Sequence, residues 1–241
     1  MTKNYQLRGN PVGPTVGNLV YDQVGKEVLD LHNERFRGIN GIEDTFLYNG
    51  GQPISFSNVP RVLSYNQILR EIFLDMHVLS PEEVVKYWDS IPERDSTYAD
   101  TDSVVVYPEE GSNETLRRKV LDILGKSKTD VPLVVSGLGV DREDKGFTFV
   151  QTPYTSAKEA FYLMKDGRIS YDLEKGLLCS EKGIPVRTAQ SSLGWFSRFR
   201  SDRLDARIDF LFDSDGSGRV QVVQDPQDRV KNLEARLAGL Q

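Results

Sequence analysis

Cysteine occurs once in this chain, at Cys179, and histidine twice, at His32 and His77. One thiol closes no internal disulfide and builds no thiolate metal cage, and two imidazoles leave little material for a histidine metal site. An excess of positive charge is also missing. Lys and Arg total 30 against 36 Asp and Glu, a formal charge of -6, which argues against a protein that coats nucleic acid by bulk charge. No stretch approaches the roughly 18 apolar residues a membrane span needs. The opening MTKNYQLRGN has no basic segment followed by an apolar one, so secretion is not indicated and a cytoplasmic location is expected.

Motifs of familiar chemistry are missing too. There is no Gly-x-Ser-x-Gly nucleophile elbow. Gly125-Lys126-Ser127 lacks the earlier glycine of a phosphate loop, since Val120 stands there, and it follows a helix pattern where a phosphate loop precedes one. Gly137-Leu138-Gly139 has no third glycine and no helix behind it, so it reads as a strand end and turn. Cys179 sits in the apolar Leu177-Leu178-Cys179 and reads as a small hydrophobe, not a nucleophile.

What is present suits an ordinary globular protein: 241 residues, 38% hydrophobic and 27% charged, enough for one large domain or two small ones. Residues 19–37 fit either a helix or a hairpin. Asp44–Phe56 reads as a hairpin around Asn49-Gly50, because Asn-Gly accepts the positive φ angles of a tight turn. Ser64 with Gln67 has capping-box spacing, and Ile68, Leu69, Ile72, Phe73 and Met76 make one apolar helical face behind it. Ser80-Pro81-Glu82-Glu83 repeats the start signal, and Pro92 ends that second helix. The polar run 93–103 breaks the pattern and marks a boundary between an N-terminal hairpin-and-helix region (1–95) and an α+β region (104–241), unless one domain spans both.

Beyond it, the expected elements are a strand at 104–107, a helix from about Asn113 to Leu124 closed by Gly125, and strands at 133–135 and 147–150. A helix is expected over 156–165, from Ser156 with Glu159 as box partner, and a strand over 168–171. Arg207–Phe212 and Arg219–Val223 read as a hairpin about a Gly-rich loop. A last helix, 226–241, carries Val230, Leu233, Leu237 and Leu240 as a stripe that could pair two copies of the chain weakly. The fold class is α+β: mixed, largely antiparallel sheets with short capped helices, a strand-rich final third and a C-terminal helix.

Two segments carry candidate chemistry. Asp213, Asp215 and Ser217 alternate before Gly218 as the first ligands of a calcium loop do, because the ion wants six to eight oxygens aimed at one point. Gln224 stands where such a loop needs a bidentate glutamate, and a hairpin turn explains the same residues more simply. Trp195, Phe196, Arg198, Phe199, Arg200 and Arg203 form a locally basic cluster in which rings could stack on bases while guanidiniums hold phosphates. A strand with outward arginines gives the same alternation.

The expected function is that of a non-catalytic binding or assembly module with a protein partner. The alternatives are RNA or single-stranded nucleic-acid binding through Trp195–Arg207, and an enzyme whose carboxylates come from scattered positions. The last predicts a concave pocket holding acids with shifted pKa values.

Overall fold

A computed structural model describes residues 13–111, 113–160, 169–171, 184–188, 193–199, 203–206 and 216–228. Strand β1 (Thr15–Asn18) leads into helix α1 (Gln23–Phe36). Asp22 caps α1, its Oδ1 accepting from the amides of Val24 and Gly25 at 2.9 and 3.0 Å. Residues 19–37 therefore resolve as helix in the main. Gly25 is required there by close approach: a Cβ would lie 2.0 Å from the carbonyl oxygen of Val20.

Helix α2 (Val59–Ile72) is the central element. Its start corrects the expected capping box. Asn58 is the N-cap, its Oδ1 accepting from the Arg61 amide at 3.1 Å, and Pro60 occupies the first turn, where a missing N–H costs nothing. Ser64 lies one and a half turns inside, fully buried, and hydrogen-bonds His32 at 2.9 Å. The helix also ends earlier than its apolar period suggests. Leu74 takes a positive φ of 50°, and Met76 belongs to strand β2 (Met76–Val78), whose Val78 amide is held by Asn66 Oδ1.

Residues 44–56 form no hairpin because the two arms bond elsewhere: the Asp44 amide and carbonyl both bond to the Asn33 side chain of α1, and Gly51, Gln52 and Ile54 bond to Tyr21 and Leu19. Arg61 donates to the carbonyls of Ile42, Phe56 and Glu43, each at 2.9 Å, and Asn58 donates to Gly41 O. Carbonyls bonded to helix side chains are not available to a strand ladder. A turn does form there, but one residue on from the expected Asn49-Gly50 centre: the Gln52 amide donates to the Asn49 carbonyl, Gly51 takes the positive φ, and the downstream arm alone pairs with Leu19 and Tyr21.

Helix α3 (Pro81–Lys86) starts on the expected capping box of Ser80 and Glu83, and a 3₁₀ turn at Trp88–Ser90 follows it before Pro92. The polar run 93–103 contains no boundary loop through its second half. Strand β3 (Tyr98–Val106) begins there and carries Asp100, Thr101, Asp102 and Ser103 into the interior. Helix α4 (Glu114–Ile123) and the positive φ of Gly125 are as the pattern implies. Buried Arg117 ties it to β3 by donating to the carbonyls of Tyr107 and Pro108.

Strands β4 (Leu133–Ser136), β5 (Gly139–Glu143) and β6 (Gly146–Val150) come next. Residues 156–159 are strand β7 (Ser156–Glu159), which corrects the helix expected there: pairing along β4 outweighs the local capping signal. Short strands β8 (Ile169–Tyr171) and β9 (Ile184–Thr188) precede β10 (Leu193–Phe199), β11 (Arg203–Ala206) and β12 (Gln221–Gln224). Residues 207–215, 161–168 and 229–241 lie outside the described residues, and with them one arm of the expected hairpin and the leucine stripe.

A seven-stranded sheet has the order β7-β4-β3-β10-β11-β9-β8, with only the β11–β9 pair parallel. A three-stranded sheet, β1-β12-β2, and the hairpin β5-β6 complete the described strands. The class is α+β. Along β3, Val104 and Val106 pack with Phe36, Leu63 and Phe149 on one face, while Val105 packs with Val84 and Leu204 on the other. Burial on both faces is what the unbroken valine run encodes.

One buried group makes the fold acid-sensitive. His32 Nε2 faces the Ile42 carbonyl at 2.8 Å, so Nε2 carries the hydrogen, and Nδ1 accepts from the Ser64 hydroxyl. Burial pushes its pKa down to about 4, opposed by the Ile42 bond and assisted by Arg61 and Arg35. The unfolded chain therefore binds a proton that the native state refuses between the ordinary value of 6.5 and about 4. The stability supplied by neutral His32 is whole above that window and is lost as pH falls through it, on the order of 3 kcal/mol. Denaturant titrations across the window should show this slope in the wild type and a shallower one in His32→Gln. Equal slopes would contradict it. Gly25→Ala should cost ~1–3 kcal/mol, whereas Gly50→Ala, with nothing within 4 Å of the new Cβ, should be near neutral by the same assay.

Candidate functional site

Six elements converge on a polar cleft of about 280 Å³. Helix α2 contributes Arg70, β2 contributes His77, α3 contributes Glu82 and Glu83 with Ser80 at its cap, and the β3–β4–β7 edge contributes Asp102, Ser136, Ser156 and Lys158. Tyr154, on the turn before β7, closes one side. That turn needs glycine at position 137: φ is +68°, and a Cβ would stand 2.3 Å from the Tyr154 carbonyl oxygen.

Glu83 serves two structures at once. Its Oε2 accepts from the amide and hydroxyl of Ser80 at 2.9 and 3.0 Å, completing the capping box. Its Oε1 lies 2.8 Å from His77 Nε2. Burial pushes the Glu83 carboxyl up, but the His77 bond and charge, with the Ser80 contacts, more than reverse this and hold it below the ordinary carboxylate value. On the other side of the ring, His77 Nδ1 is 3.3 Å from Asp228 Oδ2. The imidazole is thus set between two carboxylates.

Asp102 is shifted the other way. Burial raises its pKa, and Arg70 and Ser103 offset only part of that rise. The Ser103 hydroxyl donates to Asp102 Oδ1 at 2.8 Å and sits 2.6 Å from Ser136 Oγ. Ser103, Ser136 and Ser156 are cross-strand partners on β3, β4 and β7, so the three hydroxyls share one face in a row.

Arg70 is the under-used group. Its nearest carboxylate oxygen, Asp102 Oδ2, is 3.9 Å away, too far for a hydrogen bond. Its guanidinium lies over the Tyr154 ring at 4.9 Å. Its buried Nε has no hydrogen-bond partner among the described residues. At the rim, Lys158 pairs with Glu82 at 3.1 Å, both exposed, a contact of little energetic weight.

The expected site residues fall elsewhere. Trp195 is buried on β10 opposite Val104. Arg198 corrects the outward-arginine expectation. It is 0% exposed, donating to Gln221 Oε1, to the carbonyls of Arg94 and Thr97, and to Thr97 Oγ1. Burial, with Arg94 nearby, brings its pKa down to about 10. Phe196 and Phe199 lie on β10 and Arg203 on β11. Arg200, Asp213, Asp215 and Cys179 lie outside the described residues. Ser217 is within them, its carbonyl accepting from the Tyr98 amide. Among the described residues no group of three or more His, Cys, Asp or Glu side chains is placed to hold a metal, and no helix is long and apolar enough to cross a membrane.

No protein-family model, curated protein or solved structure matches this chain.

The double role of Glu83 is measurable. Glu83→Ala should cost ~1–3 kcal/mol, because it removes a cap and leaves buried donors unmet. A double-mutant cycle of Glu83→Ala with His77→Ala, followed by denaturant unfolding, should give a coupling above ~0.5 kcal/mol. Strictly additive losses would contradict a working His77–Glu83 bond.

Proposed function

We propose that this protein is a non-catalytic binding module and that its ligand seats in the Arg70 cleft. The ligand is a small molecule that presents an oxyanion, a carboxylate or a phosphate. One observation carries this reading: a guanidinium in a polar cleft with its buried Nε unbonded and its carboxylate neighbour beyond hydrogen-bond reach. A guanidinium fork matches two oxygens of a carboxylate or phosphate, and leaving its donors unmet is costly when water is excluded. The hydroxyls of Ser136 and Ser156 lie on the same cleft wall. Such a role in a reducing compartment is in keeping with a chain of one cysteine.

A second reading, acid–base catalysis by scattered carboxylates, is favoured by the opposed shifts of Glu83 and Asp102 within one cleft. Against it, His77 Nε2 is already held by Glu83 at 2.8 Å, and Nδ1, which makes no hydrogen bond among the described residues, is buried 3.3 Å from Asp228 Oδ2.

Calorimetric titration with acetate and, separately, inorganic phosphate tests the proposal and tells the two oxyanions apart. At least one should bind with a dissociation constant on the order of 1 mM, about −4 kcal/mol. Arg70→Gln should weaken it at least about tenfold, roughly the 1.4 kcal/mol of a lost charged contact. Arg94→Gln, at the surface with Asp89, should leave it unchanged. No binding of either ion, or equal binding by Arg70→Gln, overturns the reading.

A further inference from the structure

The hydroxyl pair beside Arg70 can point in only two ways, and which one it takes depends on Asp102. A serine hydroxyl has one hydrogen. With Asp102 ionised, the Ser103 hydrogen goes to Asp102 Oδ1. In the 2.6 Å contact between the two serine oxygens, Ser136 must then be the donor. In that state Ser136 offers the cleft only lone pairs, and Asp102 keeps its charge beside Arg70.

A proton on Asp102 Oδ1 reverses the chain. The acid hydrogen donates to Ser103 Oγ, the Ser103 hydrogen donates to Ser136 Oγ, and the Ser136 hydrogen turns into the cleft. The same proton removes the carboxylate charge 3.9 Å from Arg70, leaving the guanidinium wholly for an incoming anion. From these contacts we infer that oxyanion binding in this cleft is coupled to uptake of one proton by Asp102, relayed through Ser103 to Ser136. The inference rests on the oxyanion-binding reading above and adds its proton linkage.

The surroundings allow such a change. Asp102 is 2% exposed, and burial makes its charged form costly. Arg70 from α2 and His77 from β2 favour the ionised carboxylate, while Glu83 from α3 opposes it. An anion held by Arg70 adds to the opposition and neutralises the main stabilising charge, so anion and ionised Asp102 compete for one guanidinium. By linkage, affinity rises as pH falls, by up to about tenfold per pH unit for one coupled proton.

Sulfate is the suitable probe, because it stays doubly charged throughout the range. Calorimetry of sulfate binding to the full chain, in two buffers of different ionisation enthalpy, counts the protons directly. The expected result is an uptake approaching one proton per sulfate and an affinity that weakens as pH rises. Asp102→Asn, which fixes a neutral side chain there, should bind sulfate with no proton uptake and a flat pH profile. Sulfate binding by the wild type with no uptake overturns the linkage while leaving the binding reading intact. Uptake that persists in Asp102→Asn overturns the assignment to Asp102 and moves the proton to His77 or Glu83. Failure of sulfate, phosphate and acetate alike to bind overturns both readings.

Discussion

Four consecutive polar residues, Asp100 to Ser103, enter the interior on strand β3, none more than 6% exposed. A buried polar group must be bonded, or the desolvation of that group is uncompensated. Much of the neighbouring architecture answers that constraint. The Asp102 amide donates to Leu79 O, the Asp102 carbonyl accepts from the Gly137 amide, and the Ser103 hydroxyl bridges Asp102 and Ser136. Helix α2, strand β2 and the β4–β7 edge are drawn to one place because β3 carries its polar run there. The cleft opens where this satisfaction is incomplete.

Arginine use shows the contrast. Arg61, Arg117 and Arg198 are all buried, and each donates to two or three main-chain carbonyls of neighbouring segments. Each fixes a piece of irregular backbone that no sheet or helix would otherwise hold: the loop around Ile42, the exit of β3, and the turn at Arg94–Thr97. Arg70 has a ring face and a distant carboxylate instead. The same side chain that elsewhere serves as a structural clamp here has a buried Nε with no hydrogen-bond partner among the described residues.

Local punctuation was the most legible part of the sequence. The Ser80–Glu83 box, the Gly125 stop and the valine run of β3 all state their structure within a few residues. Ser64 and Ser156 misled for one reason: each has a helix-cap neighbour at the right spacing, yet its environment is set by distant partners, His32 in one case and strand β4 in the other. Arg198 could not be read as buried, because alternation in a strand fixes which side a residue faces but not which side is solvent. The cleft had no local signal at all. Its residues span positions 70 to 158 and meet only through β3 and its neighbours. Glu83 was visible as a cap, but nothing near it in sequence announced its bond to His77.

Anion binding in the cleft turns on the ionisation of one carboxyl group. Carbon-13 NMR of labelled aspartate side chains, with the Asp102 resonance identified by its loss in Asp102→Asn, follows that group in the protein with and without saturating sulfate at a fixed pH above the free-state titration. Sulfate should move the Asp102 carboxyl carbon to the position of the protonated acid, while resonances of surface aspartates such as Asp89 and Asp95 stay where they were. An Asp102 carbon that keeps its ionised shift in the sulfate-saturated protein would contradict it.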